Sequence, residues 1–212
     1  MDVGLVTACN QAYLRWLDHL FNNLVFFDMA DLLGVCAEDE PTVNYALNLG
    51  VRVHQAGDAA NTTGAFDFET RAYLALLHRR QHCFWKVLRL REVGTHMLVI
   101  DTDVTFFRHP IEALQDLPPA MQEADVVAID DTGPGRPPGF KTRGVVYHRY
   151  LNCGFVLLRN SAANRVLARQ FRTALAARRG VNDQTVFNDV LWSLEHEGSL
   201  DVWVLPRTRF LN

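Results

Sequence analysis

The feature that most constrains the fold is an apolar run at residues 97–100 that stops abruptly at two carboxylates, Asp101 and Asp103. A short apolar run before a polar turn is typical of a strand buried on both faces of a sheet. Ligands of open α/β sheets bind beyond the carboxyl ends of such strands. Two acids there repel each other unless a proton or a cation relieves them, and a hard divalent cation shared with phosphates is the usual solution. The pattern predicts a cation site, with a capped strand end and one solvated aspartate as the alternative for Asp-x-Asp alone.

The rest of the chain alternates between strand and helix patterns. A long helix is predicted over residues 68–93, and other helices begin near residues 13, 37, 110, 162 and 183. Strands are predicted at residues 3–8, 25–28, 51–54, 124–131, 151–158 and 202–206. This alternation predicts an α/β fold with a mainly parallel sheet and helices outside it. No internal repeat or linker divides the chain, so residues 1–212 are expected to form a single domain.

Residues 132–150 are rich in glycine, proline and basic side chains. This composition predicts a long loop without a regular element, and loops of that length are usually functional or disordered. As a lid over a ligand, the loop would bring four basic side chains towards it: Arg136, Lys141, Arg143 and Arg149. As a connector between two strands, it would remain solvated.

Charge and hydropathy exclude several classes of protein. The net charge of -3 gives no general affinity for nucleic acid or anionic membranes. No apolar run reaches the roughly 18 residues that a membrane span needs, and no signal peptide precedes the first strand. The chain as given is therefore expected in the cytoplasm, or in the Golgi lumen if an N-terminal anchor has been removed. Its four cysteines form no Cys-x-x-Cys pair or zinc pattern, which favours buried free thiols over disulfides.

Several motifs then follow one another along nearly the whole chain. They are Lys86 on the long helix, Asp101-Thr102-Asp103-Val104, the pair Phe106-Phe107, Pro110, Asn152-Cys153-Gly154-Phe155, Asp183-Gln184 and Asn188. Each motif alone is weak, but the ordered set is specific. In this set the chain resembles the nucleotide-diphospho-sugar transferase family, the group around glycosyltransferase family 77. It has a looser likeness to galactosyl and glucosyl transferases of the glycogenin type.

The resemblance implies a GT-A fold, which is a Rossmann-like, mainly parallel mixed sheet flanked by helices. It also implies an enzyme that moves a hexosyl or pentosyl group from a nucleoside diphosphate sugar, with retention of the anomeric configuration. A UDP-sugar, carrying galactose, xylose or arabinose, is the expected donor, and a hydroxyl of a glycan or protein is the expected acceptor. Asp101 and Asp103 would hold Mn²⁺ or Mg²⁺, and neither nucleic acid nor a membrane span is expected as a partner.

The same resemblance assigns roles to other residues. The first strand and its turn would contact base and ribose, Lys86 would pair with phosphate, and Asp130 would bind a donor-sugar hydroxyl. The residues assigned to donor binding are Thr7, Ala8, Asn10, Lys86, Asp101, Asp130 and Gly154. Asn152, Asp183 and Gln184 would line the reacting sugar and the acceptor. Each has a plainer alternative: a solvated cation for Lys86, a turn residue for Asn152, a helix cap for Asp183 and a first-turn surface residue for Gln184.

One departure and two alternatives remain. Family members commonly carry a third metal ligand, a histidine, after the last strand, whereas no histidine follows Leu205 in this sequence. A C-terminal truncation would explain that difference, and so would a sugar-nucleotide binding module that has lost catalysis. The run from Asp101 to Thr105 also matches the first motif of haloacid dehalogenase-like phosphatases, in which the first aspartate is the nucleophile. About half the chain precedes this run, which argues against the phosphatase.

Overall fold

The structure is a computed structural model that describes residues 2–55, 70–88, 94–132, 140–142, 145–147, 149–178 and 180–205. Up to residue 100 strands and helices alternate as the sequence predicts, and beyond it helices and strands also follow one another directly. The elements are β1 (Val3–Cys9), α1 (Leu14–Phe26), β2 (Leu33–Ala37), α2 (Glu40–Asn48), β3 (Arg52–Gln55), α3 (Arg71–Val87), β4 (His96–Ile100), α4 (Pro110–Gln115), α5 (Pro119–Gln122), β5 (Val126–Asp130), β6 (Phe140–Thr142), β7 (Val145–Tyr147), β8 (Leu151–Arg159), α6 (Ala162–Ala177), α7 (Asp183–His196) and β9 (Val202–Leu205).

Seven strands form one sheet in the order β3-β2-β1-β4-β8-β5-β9. The pairs β1–β2, β2–β3, β1–β4 and β5–β9 are parallel, and β8 runs antiparallel to both β4 and β5. The predicted α/β fold with a mainly parallel, mixed sheet is therefore confirmed. From β1 the chain builds outwards to β2 and β3, then returns to place β4 on the other side of β1. This reversal is a topological switch point, where ligands of open α/β sheets bind.

The sheet is covered on both faces, because β1 and β4 are buried along their whole length. Side chains of α1, α2 and α4 form one apolar cluster with one face, and those of α3, α6 and α7 form a second cluster with the other. Strands with helices on both faces read as continuous apolar runs, which is the pattern that residues 97–100 show. The described helices include none that is both long and apolar enough to cross a bilayer.

The strand predicted at residues 25–28 is wrong. Helix α1 continues to Phe26, Asp28 turns the chain with a φ of 58°, and the second strand is Leu33–Ala37. The buried residues of α1, Leu17, Leu20 and Leu24, have helical spacing. Val25 and Phe26 are 51% and 81% exposed, so they form an apolar helix end that imitates a strand.

Two further predictions need correction. Residues 132–150 contain the short antiparallel pair β6–β7, so this segment has regular structure despite its glycines and prolines. Cys36 and Cys83 form a disulfide between β2 and α3, with their Cα atoms 6.1 Å apart, so the prediction of four free thiols is wrong for these two. They lie 47 residues apart in sequence, and only the packing of α3 on the sheet brings them together. Cys9 and Cys153 are free thiols.

Asp125 directly precedes β5 and connects four elements. It lies at the strand ends opposite the switch point of the sheet. Its carboxylate accepts hydrogen bonds from Arg159 Nη2 and from the backbone N–H of Asp201, both at 3.1 Å. Burial alone would raise the pKa of Asp125, but hydrogen bonds from Ser161, Asp201 and Arg159 outweigh it and lower the pKa. The charged form is therefore the one that stabilises the fold.

We expect Asp125→Asn to lower the free energy of unfolding by about 2 kcal/mol at pH 7, because it weakens charge-assisted hydrogen bonds. A pKa lowered by folding gives stability that is present above the pKa of the unfolded chain and is lost as pH falls through the folded value. The difference between wild type and variant should thus shrink below about pH 4. Urea unfolding between pH 3 and pH 7 measures this difference. The control is Asp116→Asn, because the Asp116 side chain is exposed. A difference that stays constant with pH would contradict the assignment.

Candidate active site

A cavity of about 600 Å³ opens beyond the carboxyl ends of β1 and β4, at the switch point of the sheet. Its wall is formed by the start of α1, helix α3, the turn after β4, the segment after β5, and the starts of β8 and α7. Its described lining residues are Tyr13, Trp16, Tyr73, Leu77, Arg80, Gln81, Phe84, Asp101, Thr102, Asp103, Asp131, Tyr150, Cys153, Gly154, Asn182, Asp183, Gln184 and Thr185. Its volume lies in the range of small-molecule sites.

The predicted Asp pair lies in this cavity. Asp101 directly follows β4, and its backbone N–H donates to the carbonyl of Gly154 on β8 at 2.9 Å. Its side chain reaches the solvent of the cavity, yet the protein enclosing it desolvates the carboxylate and raises its pKa to about 6. The charge of Arg80 lowers this pKa, and the charges of Asp103 and Asp183 raise it further. A Cβ at position 154 would overlap the Asp101 carboxylate, so only glycine leaves this side chain in its observed position.

The start of α7 presents Asp183 and Gln184 to the same cavity. Asn182 caps the helix by accepting from the backbone N–H of Gln184 at 2.9 Å. Asp183 is only 7% exposed, and burial raises its pKa. Hydrogen bonds from Gln81 and from the Gln184 N–H lower this pKa but do not cancel the effect of burial. The Asp183 Oδ2 accepts from Gln81 Nε2 of α3 at 2.8 Å, which joins the two helices across the cavity. Asp183 is thus more than a helix cap.

Gln184 is fixed at both ends of its amide group. Its Nε2 donates to Asp131 Oδ2 at 3.0 Å, and its Oε1 accepts from the backbone N–H of Cys153 at 3.3 Å. Asn188, one turn later on α7, exchanges two hydrogen bonds with the backbone of Leu151, at 2.8 and 2.9 Å. These bonds fix α7 against β8, so that Gln184 lies beside Gly154 rather than on the protein surface.

Arg80 is the cation of the described lining, although it was not among the residues predicted from the sequence. Its Nε donates to Glu38 Oε1 at 2.7 Å, and its guanidinium lies 5.8 Å from the ring centre of Tyr13. Glu38 is buried, and desolvation raises its pKa although the charge of Arg80 lowers it. Burial alone would lower the pKa of Arg80, but the charge and the hydrogen bond of Glu38, together with the charge of Asp101, outweigh it and raise that pKa. Arg80 therefore stays charged inside the cavity wall.

The described lining of the cavity has more acidic than basic side chains. Its described lining has four carboxylates, Asp101, Asp103, Asp131 and Asp183, against one guanidinium, that of Arg80. An anionic ligand would meet repulsion here unless a divalent cation entered with it. Oxygen ligands suit Mg²⁺ and Mn²⁺. Within the described ranges no group of three His, Cys, Asp or Glu residues is arranged as a metal site. A cation held by the carboxylates of Asp101 and Asp103 would need its remaining ligands from a substrate and water.

Some predicted residues lie elsewhere. Lys86, which was predicted to pair with donor phosphate, borders a separate cavity beside Val53 and His54 and not the cavity that Asp101 lines. Lys86 follows Arg80 by six residues, which turns it by about 240° around the helix. Thr7, Ala8 and Asn10 are buried and do not line the main cavity, where Tyr13 and Trp16 represent the N-terminal segment instead.

Two more predicted residues accept hydrogen bonds from the backbone two residues further along the chain. Asn152 Oδ1 accepts from the Gly154 N–H at 2.7 Å, as its turn alternative implies, and does not line the cavity. Asp130 accepts from the Thr132 N–H at 2.8 Å and pairs with Arg149 Nε at 3.5 Å, whereas its neighbour Asp131 faces the cavity. Of the predicted lid, Arg136 and Arg143 lie outside the described residues, and so does the side chain of Lys141.

The missed lining residues carried a signal in the sequence. Tyr73, Leu77, Arg80, Gln81 and Phe84 recur at three- and four-residue intervals and share one face of α3. A charged residue on the apolar face of a predicted helix marks a site more strongly than a cation on its solvated face. Asp131 gave no such signal, because it adjoins Asp130 and the direction of a strand end cannot be read from two consecutive acids.

Comparisons with known proteins bear on the fold and the family of the chain. The chain is 26% identical over 192 residues to "Beta-arabinofuranosyltransferase RAY1" of Arabidopsis thaliana, covering 84% of this chain and 33% of that protein. The chain thus spans about a third of this relative. Its fold is similar to galactosyltransferase LgtC in complex with donor and acceptor sugar analogues, with a TM-score of 0.60, 17% identity and coverage of 95% and 73% of the two chains. It is also similar to the mannosyltransferase PcManGT from Pyrobaculum calidifontis in complex with GDP-Man and Mn²⁺, with a TM-score of 0.51, 10% identity and coverage of 97% and 55%.

A sequence model of one family matches most of the chain. The family is described as nucleotide-diphospho-sugar transferase, and the match extends over residues 30–212. It includes both carboxylates that follow β4, the guanidinium on α3 and the acidic start of α7. Since the solved structures above share the GT-A architecture, the predicted fold class and the predicted family are both confirmed. The chain belongs to the nucleotide-diphospho-sugar transferase family.

Proposed function

We propose that the chain is the catalytic domain of a metal-dependent, retaining glycosyltransferase that uses a UDP-sugar and a hydroxyl acceptor on a glycan or protein. The observation that carries this proposal is the convergence of Asp101, Asp103, Arg80 and Gln184 on one cavity at the switch point. Among donors, UDP-arabinose is the first to test, because RAY1 is by its name an arabinofuranosyltransferase. UDP-galactose and UDP-xylose follow.

The chemistry requires that the departing diphosphate be stabilised. A divalent cation held by Asp101 and Asp103 would neutralise the charge that develops on the leaving oxygen. Arg80 adds a fixed positive charge, which Glu38 and Tyr13 hold at the cavity wall. Fixed charges aimed at the place where charge develops usually contribute more to such catalysis than any other single effect.

Retention is proposed from the family resemblance, and the state of the nearby acids bears on the route by which it would occur. Asp131 accepts from Gln184, and Asp183 accepts from Gln81, so neither carboxylate is presented as a nucleophile. We therefore favour departure and attack on the same face of the sugar. Gln184 would lie beside the anomeric carbon, where its amide, fixed at both ends, needs no reorganisation. Asp183 would contact a sugar hydroxyl.

The disulfide between Cys36 and Cys83 supports a location in an oxidising compartment such as the Golgi lumen. Thiol titration of the denatured, unreduced protein should find two free thiols per chain, and four after reduction, from Cys9 and Cys153 and from the opened pair. Four thiols before reduction of protein made in an oxidising compartment would contradict this location.

The function is tested by incubating the chain with UDP- and GDP-sugars and Mn²⁺ or Mg²⁺, and measuring the nucleoside diphosphate released. We expect slow, metal-dependent release of UDP by hydrolysis, increased by the right acceptor. Phosphate monoesters form the control arm and should release nothing. Their turnover, if abolished in Asp101→Asn, would make the haloacid dehalogenase-like phosphatase correct. Tight UDP binding without turnover of any donor would favour the inactive binding module.

We expect Gly154→Ala to lower donor turnover by at least about tenfold, because the added methyl group displaces the Asp101 carboxylate, and displacements near 1 Å can cost a hundredfold. Stability should change little, since the displaced carboxylate can rotate into the cavity. Steady-state kinetics and thermal unfolding measure the two effects. The matched control is Gly34→Ala, whose Cβ would meet the His54 side chain 3.0 Å away on β3, outside the cavity lining. Equal kinetic losses in both variants would contradict the role of Gly154.

A further inference from the structure

Two links join the end of β2 to the middle of α3. The disulfide connects Cys36 of β2 to Cys83 of α3. Two residues after Cys36, Glu38 accepts from Arg80, which precedes Cys83 by about one turn of the same helix. Both cysteines are buried, and so is Glu38, whereas Arg80 lines the cavity.

We propose that the Cys36–Cys83 disulfide is a positioning device of the active site, which acts through Arg80. The disulfide fixes the position of α3 along its axis and its rotation relative to β2. It therefore fixes the place at which Glu38 holds the Arg80 guanidinium in the cavity. The inference rests on the proposed function for its ligand, a nucleoside diphosphate, but its structural part does not depend on that ligand.

Helix α3 is the element for which such positioning matters. It supplies Tyr73, Leu77, Arg80, Gln81 and Phe84 to the cavity lining. A shift of this helix along its axis would move Arg80 away from the Asp pair and would stretch the Gln81–Asp183 hydrogen bond, which is 2.8 Å long. A covalent link one turn from Arg80 opposes that shift, whereas the apolar contacts of the helix can slide.

The plainer alternative is that the disulfide only stabilises the fold. A crosslink that closes a long loop restricts the unfolded chain and raises stability in any case. That effect alone would lower the melting temperature on removal but would leave the affinity of the folded protein unchanged. The two readings therefore differ in whether loss of the disulfide changes ligand affinity through Arg80.

The test is a double-mutant cycle on the full chain, with UDP and Mn²⁺ as the probe in calorimetry well below the melting temperature. One arm is the disulfide-free variant, Cys36→Ala with Cys83→Ala. The other is the pair-neutral variant, Glu38→Gln with Arg80→Met, which removes both charges together. We expect loss of the disulfide to weaken UDP binding about tenfold in wild type and less than about twofold in the pair-neutral background.

A reversible arm guards against a variant that fails to fold. A dithiol reduces the bond, giving two electrons and two protons to Cys36 and Cys83 while it closes to its own cyclic disulfide. Affinity should fall on reduction and return on reoxidation, and the disulfide-free variant should not respond. Equal weakening in both backgrounds of the cycle would overturn the proposal, as would unchanged affinity when the bond is opened.

A failure of the proposed function can be recognised separately. If oxidised wild type binds no UDP, amide hydrogen exchange of α3 decides the structural part without a ligand. Faster exchange in Arg71–Val87 of the disulfide-free variant, with β4 and α7 unchanged, would support positioning for some other ligand. Unchanged exchange in α3 would overturn it.

Discussion

Replacing Asp103 by asparagine is expected to remove metal-dependent UDP binding and to lower donor turnover by more than about a hundredfold. Even partners in the outer shell of a metal site typically give 10–100-fold losses, so the loss of a direct ligand should exceed that range. The described cavity lining sets four carboxylates against one guanidinium, so the diphosphate needs the cation in order to enter. Asparagine keeps the size of the side chain and removes its charge.

Calorimetry with UDP, in the presence and absence of Mn²⁺, measures the first effect, and release of UDP from the donor measures the second. The folded state should be unaffected, because the Asp103 side chain is exposed. Asp116→Asn, an exposed aspartate at the end of α4, is the matched control and should behave as wild type. Wild-type metal dependence in Asp103→Asn would show that the cation, if one is used, is held elsewhere.

Much of the fold could be predicted because its strands are short apolar runs with polar ends. The runs before Asp101 and Asp130 mark β4 and β5, and alternation with helices fixes the fold class. The second strand was missed because its sequence, Leu33–Ala37, contains a glycine and two small residues, while the exposed end of α1 carries Val25 and Phe26. Local hydropathy cannot distinguish an apolar helix end from a strand when tertiary contacts decide which one is buried.

The site was predictable where a residue directly follows a strand or begins a helix at the switch-point end of the sheet. Asp101, Asp103, Asp183 and Gln184 meet this condition and line the cavity, and Gly154 lines it from the first half of β8. Residues within a helix or strand depend on which way the element faces, and this rotation is set by contacts that are distant in sequence. Arg80 rather than Lys86 faces the cavity for that reason, and the Cys36–Cys83 pair depends on the same packing.

We expect Arg80→Met to have two large effects that can be separated. It removes Arg80 from its ion pair with the buried carboxylate of Glu38, and breaking a buried pair in this way typically costs about 3–5 kcal/mol of stability. It also removes the positive charge of the described cavity lining, so UDP affinity at saturating Mn²⁺ should fall by about a hundredfold, as for the loss of a charge-assisted contact.

The pair-neutral variant, Glu38→Gln with Arg80→Met, separates these effects. Neutralising both partners also removes the buried charge of Glu38, which remains in Arg80→Met. Urea unfolding should therefore show that most of the stability is recovered. UDP binding should stay as weak as in Arg80→Met, because the guanidinium that faces the diphosphate is still absent. Arg80→Lys should fall between, since an ammonium keeps the charge but loses the planar contacts with Glu38 and Tyr13. If the pair-neutral variant recovered both UDP affinity and stability, Arg80 would serve the fold alone. The cation facing the diphosphate would then have to come from another part of the chain.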